Sequence, residues 1–305
     1  MSNLRLPKLI AIVGPTASGK TALSLPLAKK FHGEIISVDS RQVYRGMDIG
    51  TAKPAKSEQK RVPHHLVDVK KPTQRYTVQQ FKTDASKLIH KITKKGNIPF
   101  LVGGTGLYLY TLINNWDIPQ AKPNQKLRQR LARLGLKRAW KKLLYLDPAA
   151  GSFVDPKNPR RVFRALEVIL ATGRPLSQQY GAKKPLFDVL ILGIDITKAL
   201  LRQNIGRRVD QMFRRGLVAE TKKIIKHYGR RKILSETIGY REIINCLDKK
   251  ITLAEAREQV KKNTWHYTKH QYNWFRRLPV VWVKTSTQAK KQIKNFLKKT
   301  KKDSF

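Results

Sequence analysis

The stretch LIAIVGPTASGKTAL, Leu9 to Leu23, passes from a short apolar run through a glycine-bounded loop into a helix-forming segment. Lys8 to Val13 reads as a buried strand and Thr21 to Phe31 as the helix after it, with Pro26 removing one backbone hydrogen bond and bending that helix. Between them Gly14, Pro15, Thr16, Ala17, Ser18, Gly19, Lys20 and Thr21 fit G-x-x-x-x-G-K-[ST] in full. The glycines let backbone N–H groups close around phosphate oxygens, Lys20 adds a point charge, and the Thr21 hydroxyl at the helix N-terminus can ligate Mg²⁺. A chance match in a chain of this length has odds on the order of one in a hundred. Taken alone, the loop reads as nucleotide-binding, with ATP the first expectation. It leaves open whether the phosphate belongs to an energy source, a donor or a leaving group.

Outward from the loop, EIISVDS reads as a second strand ending in polar residues, and IPFLV as a third that GGTGLYLYTLI turns into a helix. Thr77 with Gln80 forms a capping-box pattern, and Val78, Phe81, Ala85, Leu88, Ile89 and Ile92 then follow helical spacing. This alternation predicts an α/β fold, a P-loop NTPase-like parallel sheet flanked by helices. After Ile113 only helical periodicity appears until about Pro185, in a segment rich in Lys and Arg. FDVLILGIDI then returns to the sheet, and PVVWVKT reads as a last strand. The expected organisation is a discontinuous catalytic core, 1–113 and 186–305, carrying a mostly helical, basic insertion at 114–185.

Of 305 residues, 64 are Lys or Arg and 20 Asp or Glu, a formal charge of +44, so a polyanion is the expected partner. A lineage whose proteins are all lysine-rich would produce the same excess. No apolar run approaches a membrane span, and no export signal is expected, since the first apolar run leads directly into the glycine turn. Cys246 is the only cysteine, which excludes an internal disulfide and a cysteine metal cluster and suits a reducing cytoplasm. The seven histidines lack metal-ligand spacing, and His64 and His65 read as structural.

An ATPase needs a strand ending in a carboxylate paired with a second acid to activate water. Asp39, Asp68 and Asp195 are the candidates, and none has an adjacent acid. Asp39 stands alone at the end of the second strand, where it either caps the following turn or acts as a general base facing the phosphate site. In GGTGLY the glycines serve a tight turn, and Thr105 is placed to donate a hydrogen bond to an anion.

GPTASGKT, IISVDSRQVYRGMDIGTAKP, VPHHLVDV, YTVQQFKTDA, PFLVGGTGLYL, NPRRVFRALEV, IGYREI and HQYNWFRR occur in this order from about Leu9 to Arg277. In this the chain resembles the tRNA dimethylallyltransferases, the bacterial isopentenyl-tRNA transferases. The resemblance implies transfer of a dimethylallyl group from dimethylallyl diphosphate to N6 of adenosine 37, beside the anticodon of tRNAs reading codons that begin with U. It implies that Thr16 to Thr21 cradle the diphosphate with Mg²⁺ near Thr21, and that Thr105 contacts the leaving-group oxygen. It further implies that Asp39 holds the adenine N6 and takes its proton, and that Arg208 reaches the diphosphate. On a helix, Leu201, Ile205, Val209 and Met212 form the apolar side and Arg208 lies one step off it. The family usually carries arginine where this chain has Asn204.

For the anticodon stem-loop, the resemblance points to Ser40, Arg41 and Gln42 after the aspartate, and to Glu236, Thr237, Ile238, Gly239, Tyr240 and Arg241. In the insertion it points to Arg128 and to Arg160, Arg161 and Arg164. Pro159 starts a helix there whose apolar stripe is Val162, Ala165, Leu166, Ile169 and Leu170; a solvated basic face opposite would look the same. His270 and Asn273 stand where the family has arginine and threonine or serine. The protein is expected to act as a monomer, in the cytoplasm and without a membrane. Two rival readings remain: an adenylate isopentenyltransferase acting on free AMP or ATP, which needs no basic insertion, and an RNA-binding P-loop ATPase.

Overall fold

A computed structural model of the chain describes residues 6–119, 121 and 124–298. The first five residues, at the start of the segment read for an export signal, lie outside them, as do Gln120, Lys122 and Pro123 at the opening of the insertion. In chain order the first elements are β1 (Lys8–Val13), α1 (Lys20–Lys30), β2 (Gly33–Val38), α2 (Lys56–Arg61), β3 (His64–His65), α3 (Val78–Lys94), β4 (Ile98–Gly103) and α4 (Gly106–Ile113). There follow α5 (Gln125–Leu134), α6 (Leu136–Leu146) and α7 (Pro159–Thr172). The chain ends with β5 (Asp188–Ile194), α8 (Lys198–Arg214), α9 (Leu217–Tyr228), α10 (Lys232–Ser235), α11 (Tyr240–Leu247), α12 (Leu253–Phe275), β6 (Val280–Val283) and α13 (Ser286–Lys298).

All strand pairings are parallel, in the order β3-β2-β4-β1-β5-β6. A parallel sheet needs both faces covered, and β1 shows how its sequence achieves this. Leu9, Ala11 and Val13 join a core with Phe81 and Ile89 of α3 and Leu109 and Leu112 of α4. Ile10 and Ile12 face the other way, toward Leu27 of α1 and Ile293 of α13. Each such fully buried Leu or Ile contributes about 1.5–3 kcal/mol. The central position of β1 places the phosphate loop at the carboxyl ends of the strands, beside the ends of β2 and β4.

The predicted capping box is present at α3, where the Thr77 side chain accepts the Gln80 N–H. Edge strand β3, too short to be read from the sequence, is fastened through its own side chain. His65 Nε2 lies 2.7 Å from the Glu34 carboxylate, which also accepts from Asn97 at 2.8 Å and Lys95 at 3.1 Å. Burial pushes the Glu34 carboxyl up, but hydrogen bonds from Asn97, His65 and Lys95 outweigh it and bring the group down to about 2.

The chain divides into two compact units, Met1–Ile113 with Leu186–Phe305, and Asn114–Pro185. The second is a helical unit whose core draws on Leu131, Leu143, Val162 and Leu166. Asn158 caps α7 with Pro159 in its first turn. The apolar stripe of α7 departs from the expected one: Leu170 is exposed and Glu167 is fully buried. A strip drawn from hydropathy cannot anticipate a carboxylate that brings its own cations inside.

Candidate active site

The phosphate loop is built as its sequence demands. Ala17 adopts a left-handed φ of 68°, uncommon for a residue with a side chain and a form of stored strain met at ligand-holding loops. Ser18 Oγ is buried and has no hydrogen-bond partner in the protein, an orphaned donor within the cradle. Lys20 is half-buried and its Nζ donates to the carbonyls of Gly14 at 2.9 Å and Pro15 at 2.8 Å. Burial, and then the charge of Arg208, lower Lys20 to about 7, with Asp39 opposing them. Such a cationic but desolvated pocket favours an anionic ligand.

At the end of β2, Asp39 Oδ1 accepts the backbone N–H of Arg41 at 2.8 Å and of Gln42 at 3.3 Å. The turn-capping role weighed for a lone aspartate is therefore real, and it engages one oxygen only. Asp39 also lines an open cleft, so capping and chemistry are compatible uses of the two carboxylate oxygens. Thr105 caps the start of α4 through its carbonyl, which accepts from Tyr108 and Leu109. Its hydroxyl accepts the Ser40 N–H at 3.1 Å. Burial, then the nearby Asp39 charge, push Tyr267 up to about 12, keeping it neutral.

Arg208 on α8 reaches the same cleft and donates to the Thr51 carbonyl at 3.5 Å. Burial pushes its guanidinium below the ordinary range, and the Asp39 charge pulls it back. Asn204, one turn earlier, donates to the carbonyl of the strained Ala17 at 3.3 Å, so the departure from the family arginine still touches the phosphate loop. The cleft holds about 180 Å³, and Thr16, Asp39, Ser40 and Arg41 line it on the polar side. Val209, Met212, Ile238 and Val260 supply apolar wall, and Glu236, Thr237 and Tyr267 complete it.

The sequence-predicted residues divide into those at the cleft and those that support it. Arg41 lines the cleft and donates to the Glu236 carbonyl at 3.4 Å. Gln42 is turned inward, accepting from Ser37 Oγ and donating to the carbonyls of Thr51 and Ala52. Tyr240 has 0% exposure and so has no side-chain surface to offer an RNA. Its hydroxyl donates to Glu220 at 2.7 Å, and that carboxylate also accepts the N–H groups of Asp48, Ile49 and Gly50. A Cβ at Gly50 would lie 2.5 Å from the Tyr240 ring, so Tyr240 and Glu220 shape the loop that carries Thr51. Thr237 and Gly239 are buried, and Arg241 is engaged with Glu242 at 2.6 Å.

In the insertion, the expectation of four arginines facing tRNA also divides. Arg128 binds both oxygens of Glu167, at 2.9 and 2.7 Å, and Arg164 binds one at 2.6 Å. Their guanidinium groups hold a buried carboxylate, because a fully buried anion requires compensating cations. Burial pushes the Glu167 carboxyl up, but bonds from Arg128, the Asn124 N–H and Arg164 leave it below its ordinary value. Arg160 and Arg161 are exposed on the first turn of α7. Exposed, too, are His270 and Asn273 on α12.

Sequence reasoning missed Gln271, which α12 delivers to the phosphate loop and to Gly104, and Tyr267, which lines the cleft. Their only sequence signal was a spacing of one helical turn along α12. It missed Glu220 as well, whose role depends on a loop some 170 residues away in sequence. Among the described residues no group of three His, Cys, Asp or Glu is arranged to hold a metal ion. Thr21 is exposed in the first turn of α1. A hard cation bound chiefly by phosphate oxygens and water needs few protein donors, so these residues fit Mg²⁺ as an ion that arrives with a diphosphate. Among the described residues no helix is long and apolar enough to cross a membrane.

The sequence model of the family described as IPP transferase matches residues 42–278. The tRNA dimethylallyltransferase of Anoxybacillus flavithermus is 40% identical over 278 residues, spanning 90% of this chain and 89% of that one. That of Parasynechococcus marenigrum is 43% identical over 271 residues, spanning 89% and 90%. Among solved structures, the full-length tRNA isopentenylpyrophosphate transferase from Bacillus halodurans matches with a TM-score of 0.71 and 40% identity over 95% of both chains. A eukaryotic dimethylallyltransferase acting on tRNA matches with a TM-score of 0.76 and 32% identity, over 88% of this chain and 69% of that one.

Proposed function

Because the chain belongs to the IPP transferase family, we propose that it transfers a dimethylallyl group from dimethylallyl diphosphate to N6 of adenosine 37 in tRNAs reading codons that begin with U. The observation that carries this reading is the convergence on one cleft of a phosphate loop residue, Asp39, Arg208 and an apolar wall. A hydrolase would need a second acid to activate water. Asp68 is instead paired with Lys53 at 2.5 Å, which argues against an ATPase.

An exocyclic adenine amine is a weak nucleophile, so orientation and leaving-group stabilisation matter more than base strength. The N6 lone pair forms the C–N bond to C1 of the dimethylallyl group as the C1–O bond breaks. The electron pair leaves with the diphosphate, and the N6 proton passes to the Asp39 carboxylate. Lys20, the N–H groups of the loop and the orphaned Ser18 hydroxyl receive the negative charge that the diphosphate carries away. Arg208 adds a second cation, and Thr105 a hydroxyl. Val209, Met212, Ile238 and Val260 hold the isoprenoid away from water. When bound, Mg²⁺ on the diphosphate with Thr21 as a protein donor would neutralise part of that charge.

Arg160 and Arg161 suit phosphate contacts to the anticodon stem, and the target base is extruded from the loop into the cleft. We further propose that the chain acts on tRNA in the cytoplasm as a monomer. The test is mass spectrometry of an unmodified tRNA bearing A36-A37-A38 after incubation with the protein, Mg²⁺ and dimethylallyl diphosphate, with free AMP as competitor. One dimethylallyl group on A37 is expected. Prenylated AMP with unmodified tRNA would identify an adenylate isopentenyltransferase instead.

A further inference from the structure

Gln271 is 3% exposed, near the C-terminal end of α12, and its amide bridges two loops that are far apart in sequence. Oε1 accepts the Thr16 backbone N–H at 2.8 Å, and Nε2 donates to the Gly104 carbonyl at 2.9 Å. The partners fix the orientation of the amide, since an N–H requires the oxygen and a carbonyl requires the nitrogen. Thr16 belongs to the phosphate loop, and Gly104 immediately precedes Thr105. A Cβ at Gly104 would lie 2.2 Å from Nε2, so glycine there leaves the amide its place. One turn earlier on the same helix, Tyr267 lines the cleft alongside Asp39 and Ser40. The helix thus grips the Gly104-Thr105 segment once and the phosphate loop once.

Packing alone does not require an amide at this position, because an apolar side chain of similar volume would fill it. The amide has a further consequence: a planar group with one donor and one acceptor edge sets the separation of the two backbones it joins. We propose that Gln271 is a positioning residue for the transfer reaction, holding the phosphate loop and the Thr105 loop at the spacing at which both reach one diphosphate. The inference rests on the proposed prenyl transfer. Gln271 does not touch the reacting atoms; it acts through Thr16 and Thr105.

Gln271→Met removes both hydrogen bonds at nearly constant volume. Gln271→Glu keeps an acceptor for Thr16 but sets a carboxylate oxygen against the Gly104 carbonyl, and Gly104→Ala displaces the amide from the opposite side. Each variant is compared with the unaltered protein for single-turnover transfer to tRNA, KM for dimethylallyl diphosphate, Kd for inorganic diphosphate, Kd for tRNA and thermal melting. For Gln271→Met the transfer rate is expected to fall about 100-fold, with diphosphate binding about tenfold weaker, as misplacement of reacting groups by roughly an ångström predicts. Affinity for tRNA is expected to hold. Gln271→Glu loses rate more than it loses diphosphate affinity, because the phosphate loop keeps its partner. Any of the three variants that folds and retains both rate and diphosphate affinity, with only its melting temperature lowered, overturns the proposal in favour of a purely structural glutamine. Should Met and Glu both fail to fold, the Gly104→Ala result decides. If the unaltered protein transfers nothing to tRNA, the functional reading fails, and the diphosphate affinities still test the clamp.

Discussion

The Ser40 backbone N–H donates to Thr105 Oγ1 at 3.1 Å, so the residue after Asp39 is tied to the loop expected to contact the leaving group. The proposed site of proton removal and the proposed site of departure are therefore tied together across the ends of β2 and β4. Asp39 needs a variant that respects this: Asp39→Asn keeps the oxygen that caps the Arg41 and Gln42 N–H groups while removing the charge. Transfer should fall about 10²–10⁴-fold, the usual contribution of a positioned base, with tRNA affinity nearly unchanged. A parallel loss of tRNA affinity, measured by filter binding, would refute the base assignment.

Lys20 offers a pH-dependent signature. With its value near 7 in the free protein, the ammonium is largely neutral at pH 8 and largely charged at pH 6. Binding a diphosphate favours the charged form, so complex formation takes up close to one proton at pH 8 and little at pH 6. Calorimetry in two buffers of different ionisation enthalpy reads this directly. Lys20→Arg should lose the uptake, because guanidinium does not titrate there; an identical uptake in that variant would assign the proton to another group.

The arginines of the insertion are expected to separate into two kinds. Arg160→Ala with Arg161→Ala should flatten the dependence of tRNA affinity on salt by about one unit of slope per lost phosphate contact. Arg164→Ala should instead cost stability, about 3 kcal/mol for uncovering a buried carboxylate, seen as a lower denaturation midpoint. Because Glu167 titrates below its ordinary value of 4.5, its contribution is complete above that pH and is lost as pH falls through the depressed value. A salt slope equally sensitive to Arg164 would return that residue to the RNA face.

Tyr240→Phe removes the hydroxyl from Glu220 and leaves the ring against Gly50. It should lower stability by about 1–2 kcal/mol and leave tRNA affinity unchanged. A tRNA binding defect without a stability change, in the same chemical denaturation and binding assays, would contradict its placement in the core.

Much of the fold was legible because its signals are local. Apolar runs, a Thr77–Gln80 cap and Pro159 after Asn158 each declare an element within a few residues. Edge strand β3 carries too few residues to declare anything, and its place depends on Glu34 meeting His65 across the sheet. At the site, the phosphate loop, Asp39, Thr105 and Arg208 stand in recognisable strings. What those strings do not encode is which polar side chain is turned inward. Arg164 and Arg161 look alike in the sequence, yet a buried Glu167 recruits only the former. Tyr240 lies in a motif read as RNA-contacting, and the requirement to seat a glycine loop holds it inside. Gln271 joins two loops that lie 255 and 167 positions before it, beyond the reach of any periodicity.

The central claim is that the phosphate held by GPTASGKT leaves during the reaction and is not hydrolysed to drive another one. The decisive measurement incubates the protein with tRNA and, in parallel, dimethylallyl diphosphate or ATP, and counts inorganic diphosphate, inorganic phosphate and dimethylallyl groups on the RNA. The predicted result is one diphosphate released per dimethylallyl group gained by A37, with no phosphate released from ATP. Phosphate released from ATP in the presence of tRNA, with no dimethylallyl group gained, would contradict the account.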